Sequence, residues 1–181
     1  MVTNSSAGPA GSVSIFPDCD TYLGLRDYDG VYSDFIKMLL VSETQRVEPP
    51  GSRPFEKAMQ YRSPLIMICG HGSRDSRCGV LGPLLRSEFE QQIDKQWKGR
   101  LQAAPEVSIV SHIGGHVFAG NIIIYHPPSM SPHPLAGKGI WYGRVEPKHV
   151  EGILKATVGQ GKVIKLLFRG GLDMNGGSVR I

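Results

Sequence analysis

The sequence is poor in cysteine, in aromatic residues and in long apolar runs, and each shortage excludes a class of protein. Three cysteines in 181 residues, an odd number, argue against a secreted disulfide scaffold and favour a reducing compartment. No apolar run approaches the roughly 18 to 20 residues that cross a bilayer, so no membrane span is expected. Aromatics make up only 8% of the chain. The basic excess is modest, 20 Lys and Arg against 16 Asp and Glu, and it is scattered. A nucleic-acid module concentrates its cations on one face, so no nucleic acid is expected as a partner. The opening "MVTNSSAGPAGS" lacks the apolar core of a secretory signal and the arginines of a transit peptide.

What remains is an ordinary globular composition, 40% apolar and 20% charged, with enough length for one good core. The 23 glycines and 13 prolines suggest many tight turns. Residues 1–14 read as a disordered leader, 15–60 as an N-terminal extension and 61–181 as the main domain. In the extension, Tyr32, Phe35, Ile36, Leu39 and Leu40 recur at helical spacing, which predicts a short helix over 31–42.

Farther on the pattern sharpens. "PLIMIC" (64–69) reads as a strand buried on both faces. Leu81, Leu85, Phe89, Ile93 and Trp97 then mark one face of a helix ending near Lys98, with Pro83 expected in its first turn. "EVSIVSHIG", "GNIIIYHP" and "GIWYGRV" read as three further strands. "EPKHVEGILKATV" reads as a helix, and "KVIKLLF" as an extra strand before a Gly-rich end. The first strand, helix and second strand need a right-handed crossover and are therefore parallel; the next pair can be antiparallel. This is the element order of an α/β, thioredoxin-like sandwich with a mixed central sheet.

In that layout Cys69 ends a strand and Cys78 begins the following helix, the place where α/β folds build sites. Eight residues separate them, in "CGHGSRDSRCG". His112 and His116, in "SHIGGHVFAGN", follow the next parallel strand, whose end faces the same way. Two thiols and two imidazoles therefore converge on one rim as a four-ligand metal site, and the glycines let backbone pass close to a bound group. The gap is too wide for a zinc finger, whose cysteines stand two to four residues apart, yet any tetrahedral S2N2 site suits zinc. A 2Fe–2S cluster with the ligand set of Rieske centres is the other fit, although the Rieske sequence pattern is absent. A Cys69–Cys78 disulfide would leave the histidines unexplained, and redox sites of the thioredoxin type use a much shorter C-x-x-C. His71, beside Cys69, is the chief alternative ligand. Arg74 and Arg77 could offset negative charge, contact a partner or remain solvated loop charges. Trp141, Tyr142 and Arg144 lie on the fourth strand, where packing accounts for the aromatics.

"GHGSRDSRCGVLGPLL", "SHIGGHVFAGNIIIY" and "GIWYGRVEPKHV" resemble the sucrase/ferredoxin-like family, thioredoxin-like 2Fe–2S proteins of fungi and plants, over roughly residues 60–170. The cysteine gap is most similar to a fungal branch tied to mitochondria. The resemblance implies a 2Fe–2S cofactor on Cys69, Cys78, His112 and His116. It also implies electron transfer or redox sensing in mitochondrial quality control, with an unknown redox partner protein and the cytoplasm as the alternative location. An electron carrier is expected rather than an enzyme, and no glycosidase carboxylate pair is evident. The rival readings are a thiol–disulfide oxidoreductase using Cys69 and Cys78, and a structural zinc module. Family members usually carry a longer region ahead of the position of Cys69, and Cys19 falls outside the resemblance and receives no role beyond that of a reactive thiol.

Overall fold

The structure, a computed structural model, describes residues 13–16, 20–23, 25, 30–40, 55–99 and 103–181. Strands β1 (Val13–Ile15), β2 (Asp20–Leu23) and β3 (Glu56–Gln60) form a small antiparallel sheet in that order, with helix α1 (Val31–Leu40) between β2 and β3 in the chain. Val13, Val31, Phe35 and Phe55 build its core, where Phe35 meets Tyr22 and Phe55 edge-on at 5.5 and 5.1 Å. No strand was expected here. The expected leader reaches into β1 through Val13 and Ser14, and residues 1–12 lie outside the described residues. In α1, Tyr32 and Ile36 face outward at 57% and 45% exposure, while Val31 and Phe35 are buried. The apolar stripe is thus rotated from the one its spacing suggested.

The central sheet begins with β4 (Leu65–Cys69), whose five residues are all buried. Helix α2 (Ser76–Trp97) crosses to β5 (Glu106–Val110), which pairs with β4 in parallel from Leu65↔Glu106 to Cys69↔Val110. On the other edge of β4 lies β6 (Ile122–His126), antiparallel, then β7 (Lys138–Tyr142) and β8 (Phe168–Asp173), each antiparallel to its neighbour. The order β5-β4-β6-β7-β8 is a parallel strand–helix–strand unit joined to an antiparallel hairpin. That is the thioredoxin arrangement with one strand added at the hairpin edge.

Period-two alternation divides the sheet's side chains between two cores. Ile66, Ile68, Ile122, Ile124, Ile140 and Tyr142 face Leu85, Phe89 and Ile93 of α2, together with Val150 and Ile153 of helix α3 (Val150–Ile153). Leu65, Met67, Ile123 and Tyr125 face the opposite way, toward Phe16 and Tyr61. Phe16 stacks on Tyr125 with ring centroids 4.3 Å apart, joining the N-terminal segment to the central sheet.

Two expectations are corrected. Pro83 is not in the first turn, because Asp75 caps α2 and the helix starts at Ser76. Its ring therefore sits inside the helix, at an exposed position, and the Gly79 carbonyl loses its usual amide partner. The extra strand does not begin at Lys162 but at Phe168, and it runs into the Gly-rich end expected to follow it. Those glycines belong there: a Cβ on Gly171 would come within 3.0 Å of the Gly139 carbonyl on β7 and 2.8 Å of Val179. The stretch before β8 is held instead by Tyr142, whose hydroxyl shares a hydrogen bond with Thr157 (2.7 Å) and accepts one from the Ile164 amide (3.0 Å). Tyr142→Phe removes both bonds while keeping the ring, and should destabilise the fold by about 1–3 kcal/mol. Urea unfolding measures this loss directly.

Candidate metal centre

The site is built from glycine outward. As the chain leaves β4 it turns through Gly70 and Gly72 and meets the first turns of α2 with backbone against backbone. A Cβ on Gly79 would stand 2.7 Å from the Gly72 Cα, and one on Gly82 would stand 2.9 Å from the Gly70 Cα and 3.0 Å from the Cys69 carbonyl. Only bare backbone permits this approach. Asp75 starts the helix: its carboxylate accepts the Arg77 amide at 2.9 Å and pairs with the Arg77 guanidinium at 2.8 Å. Arg77 is therefore bound to the cap and is not a free cation for the site.

The consequence is a pair of buried thiols. Cys69 and Cys78 are 1% and 2% exposed, both free of any disulfide, and within hydrogen-bonding reach of each other. The Cys69 thiol donates to the Ser111 carbonyl at 3.3 Å, so it already touches the loop that carries the histidines. Burial pushes the Cys78 thiol up to about 11, with the charge and hydrogen bond of Cys69 and the charge of Asp75 acting the same way and only Arg77 opposing. The α2 N-terminus should favour a thiolate here, but desolvation wins.

The histidine loop is tied to the same strand ends. The Asn121 carbonyl accepts the Cys69 amide at 3.0 Å, and the Asn121 side chain donates to the Gly115 carbonyl at 3.3 Å. Asn121 thus couples the first cysteine to the glycines between the histidines. Sequence reasoning passed over it, since an Asn before an apolar run carries no distinctive pattern. His112 is exposed, with its ring centroid 5.9 Å from that of His71. His71 Nδ1 is buried without a hydrogen-bond partner. His116 opens the 3-10 turn His116–Phe118; its side chain lies outside the described residues, as does Cys19.

The structure brings Cys69 and Cys78 together and places His112 in the loop that Cys69 contacts. It does not close a full ligand set: among the described residues no three His, Cys, Asp or Glu side chains stand close enough to hold one metal ion. The donors present, two soft thiols and nearby imidazoles, are of the type that suits iron–sulfur clusters and zinc.

A profile of sucrase/ferredoxin-like proteins matches residues 2–170. The chain belongs to the sucrase/ferredoxin-like family. Relatives in it include altered inheritance of mitochondria protein 32 from Meyerozyma guilliermondii, 38% identical over 149 residues, covering 82% of this chain and 48% of that protein. The protein of the same name from Clavispora lusitaniae is 33% identical and covers 94% of this chain and 62% of its own length. The chain thus spans only about half to three fifths of these relatives. Among solved structures, a thioredoxin-like 2Fe–2S ferredoxin from Aquifex aeolicus overlaps 60% of this chain and 91% of its own, at 12% identity and a TM-score of 0.45.

Two outcomes test the geometry. Gly79→Ala forces a methyl group onto the Gly72 backbone, and should cost about 1–3 kcal/mol in urea unfolding. It should also slow diamide-driven joining of Cys69 to Cys78 in metal-free protein. The raised Cys78 thiol has a definite pH signature. Between the ordinary cysteine value of about 8.5 and about 11, the folded chain holds a proton that the unfolded chain has lost. Stability of the metal-free protein should therefore fall as pH rises through that window. Cys78→Ala should flatten the decline.

Proposed function

We propose that this chain binds a 2Fe–2S cluster, one iron on Cys69 and Cys78 and the other on His112 and His116, and serves as a one-electron carrier or redox sensor. The observation that carries the reading is the buried thiol pair, set at a strand end and helix start and hydrogen-bonded to the carbonyl just before His112. When bound, such a cluster supplies reversible one-electron exchange. The residues of this chain would do the rest. The glycine contact holds the two sulfurs side by side, Asn121 fixes the histidine loop, and the exposure of His112 leaves one edge of the site open to a partner. The name of the relatives supports a mitochondrial setting, and their family supports a redox role.

A thiol–disulfide exchange reading draws on the same adjacency of Cys69 and Cys78. The Cys78 value of about 11 weighs against it, because the attacking species in that chemistry is the thiolate. A structural zinc site would use the same donors without redox activity.

Anaerobic purification followed by iron, sulfide and zinc analysis, with visible and EPR spectra, separates the three. The cluster reading expects equal iron and sulfide with visible absorption. Cys69→Ser or Cys78→Ser should abolish those bands, since a hydroxyl replaces thiolate poorly, and Cys19→Ser should leave them unchanged. Stoichiometric zinc without sulfide, or bands that survive Cys69→Ser, would overturn it.

A further inference from the structure

The registers of the central sheet bring more than the cysteines to one end. Cys69 pairs with Val110, Ile68 with Ile122, Ile122 with Tyr142, and Tyr142 with Phe168. Gly143 and Arg144, which follow β7, and Arg169, at the start of β8, therefore stand at the same end as the thiol pair and the histidine loop. Both arginines are exposed, and both guanidinium groups lie over the Phe118 ring, Arg169 Cζ at 3.2 Å from its centroid and Arg144 Cζ at 5.2 Å. Phe118 closes the turn that His116 opens.

Arg144 is held at a cost. Its φ is +59°, a left-handed conformation it alone adopts among the described non-glycine residues, and one that side chains beyond Asn and Asp seldom take. The surroundings enforce it. The Arg144 amide donates to the Phe118 carbonyl at 3.2 Å and the Val145 amide to the Gly120 carbonyl at 3.1 Å. Glycine would fill such a position without strain, so the retained side chain points to a use for the guanidinium.

The charge around it is one-sided. Neither Arg144 nor Arg169 has an ion-pair partner among the described residues, and the exposed Lys165 lies on the adjoining segment. Of the carboxylates nearest in sequence to the site, Asp75 pairs with Arg77 and Glu146 with Lys148 at 2.6 Å. Two large apolar side chains also stand out in solvent on the segments that meet here: Val117, 71% exposed, and Leu166, 90% exposed. Both segments are tied to the end of β7, one by the Gly143 amide donating to the Leu167 carbonyl at 3.0 Å and the other by the Arg144 amide at Phe118.

We infer that this end of the sheet is a docking face for an acidic protein partner. Its apolar contacts are Val117 and Leu166, and Arg144, Arg169 and Lys165 meet the partner's carboxylates. Apolar side chains among cations fit a protein surface better than a phosphate backbone, and the Arg169 guanidinium, 3.2 Å from the Phe118 centroid, occupies a face on which a nucleobase would stack. The partner's redox character rests on the cluster reading; the docking face itself does not.

Cytochrome b5, an acidic one-electron haem protein, is a suitable probe, with basic cytochrome c as its opposite. Calorimetric titration should show cytochrome b5 binding at low salt and weakening by about tenfold at high salt, with cytochrome c inert. The double variant R144Q/R169Q should weaken binding by about fivefold or more, and R144K/R169K should largely restore it. Arg144→Gly, which relieves the backbone and removes the charge, should raise thermal stability while lowering affinity; this separates docking from folding. Absence of cytochrome b5 binding, or binding indifferent to both charge variants, would overturn the proposal. So would tighter binding to a DNA duplex or to phosphatidylserine vesicles than to cytochrome b5. Running the titration beside the visible spectrum keeps the two readings apart: docking without visible bands defeats only the cluster, and bands without docking defeat only the face.

Discussion

The contact on which the site depends is the meeting of bare backbones at Gly70, Gly72, Gly79 and Gly82. A helix that follows a strand normally stands off by the thickness of its side chains, about 10 Å between layers. Here the missing Cβ atoms let the first turns of α2 settle onto the strand exit, and Cys78 arrives against Cys69 as a result. The same contact removes both thiols from water. The high proton affinity of Cys78 is thus a product of packing, and it follows from four residues that have no functional groups of their own.

That arrangement has an electrostatic logic. Cys78 sits in the first turn of a helix capped by Asp75 and flanked by Arg77, a setting that elsewhere produces reactive thiolates. The cap ties up Arg77 as an ion pair, and the Asp75 carboxylate adds its own unfavourable charge, so burial is left to decide. Without a metal Cys78 rests as a neutral thiol. A cation placed between the sulfurs would reverse the balance, because it supplies the positive charge that the protein withholds.

How much of this the sequence disclosed depended on pattern length. "LIMIC" and "IIIYH" are apolar throughout because their strands are covered on both faces, and they located the centre of the sheet. The four-residue recurrence from Leu81 to Trp97 located α2 for the same reason. From those elements the convergence of Cys69, Cys78 and the histidine loop followed by topology. The N-terminal strands were invisible because β1 and β2 have three and four residues, too few for alternation to register. The start of β8 was misplaced because the Gly170–Gly171 pair reads as a turn, although its use is close packing against β7 and Val179. Asn121 and the Phe118–arginine stack were beyond reach, since both join residues distant in sequence through contacts with no local signature.

The histidine loop shows why the two halves of the site behave differently. The cysteines are fixed by backbone packing from both sides, and nothing about them needs to move. The histidines sit on a loop held between them by three anchors: Asn121 at Gly115, the Arg144 amide at Phe118, and the guanidinium groups over the Phe118 ring. All three act on the glycine and aromatic positions beside the histidines, leaving the exposed His112 ring against His71. On the cluster reading, the packed thiol pair would fix where a bound group sits, and the loop anchored around its histidines would complete the ligand set. The left-handed turn at Arg144 is hydrogen-bonded to Phe118, so whatever docks on its guanidinium bears on the same turn that His116 opens.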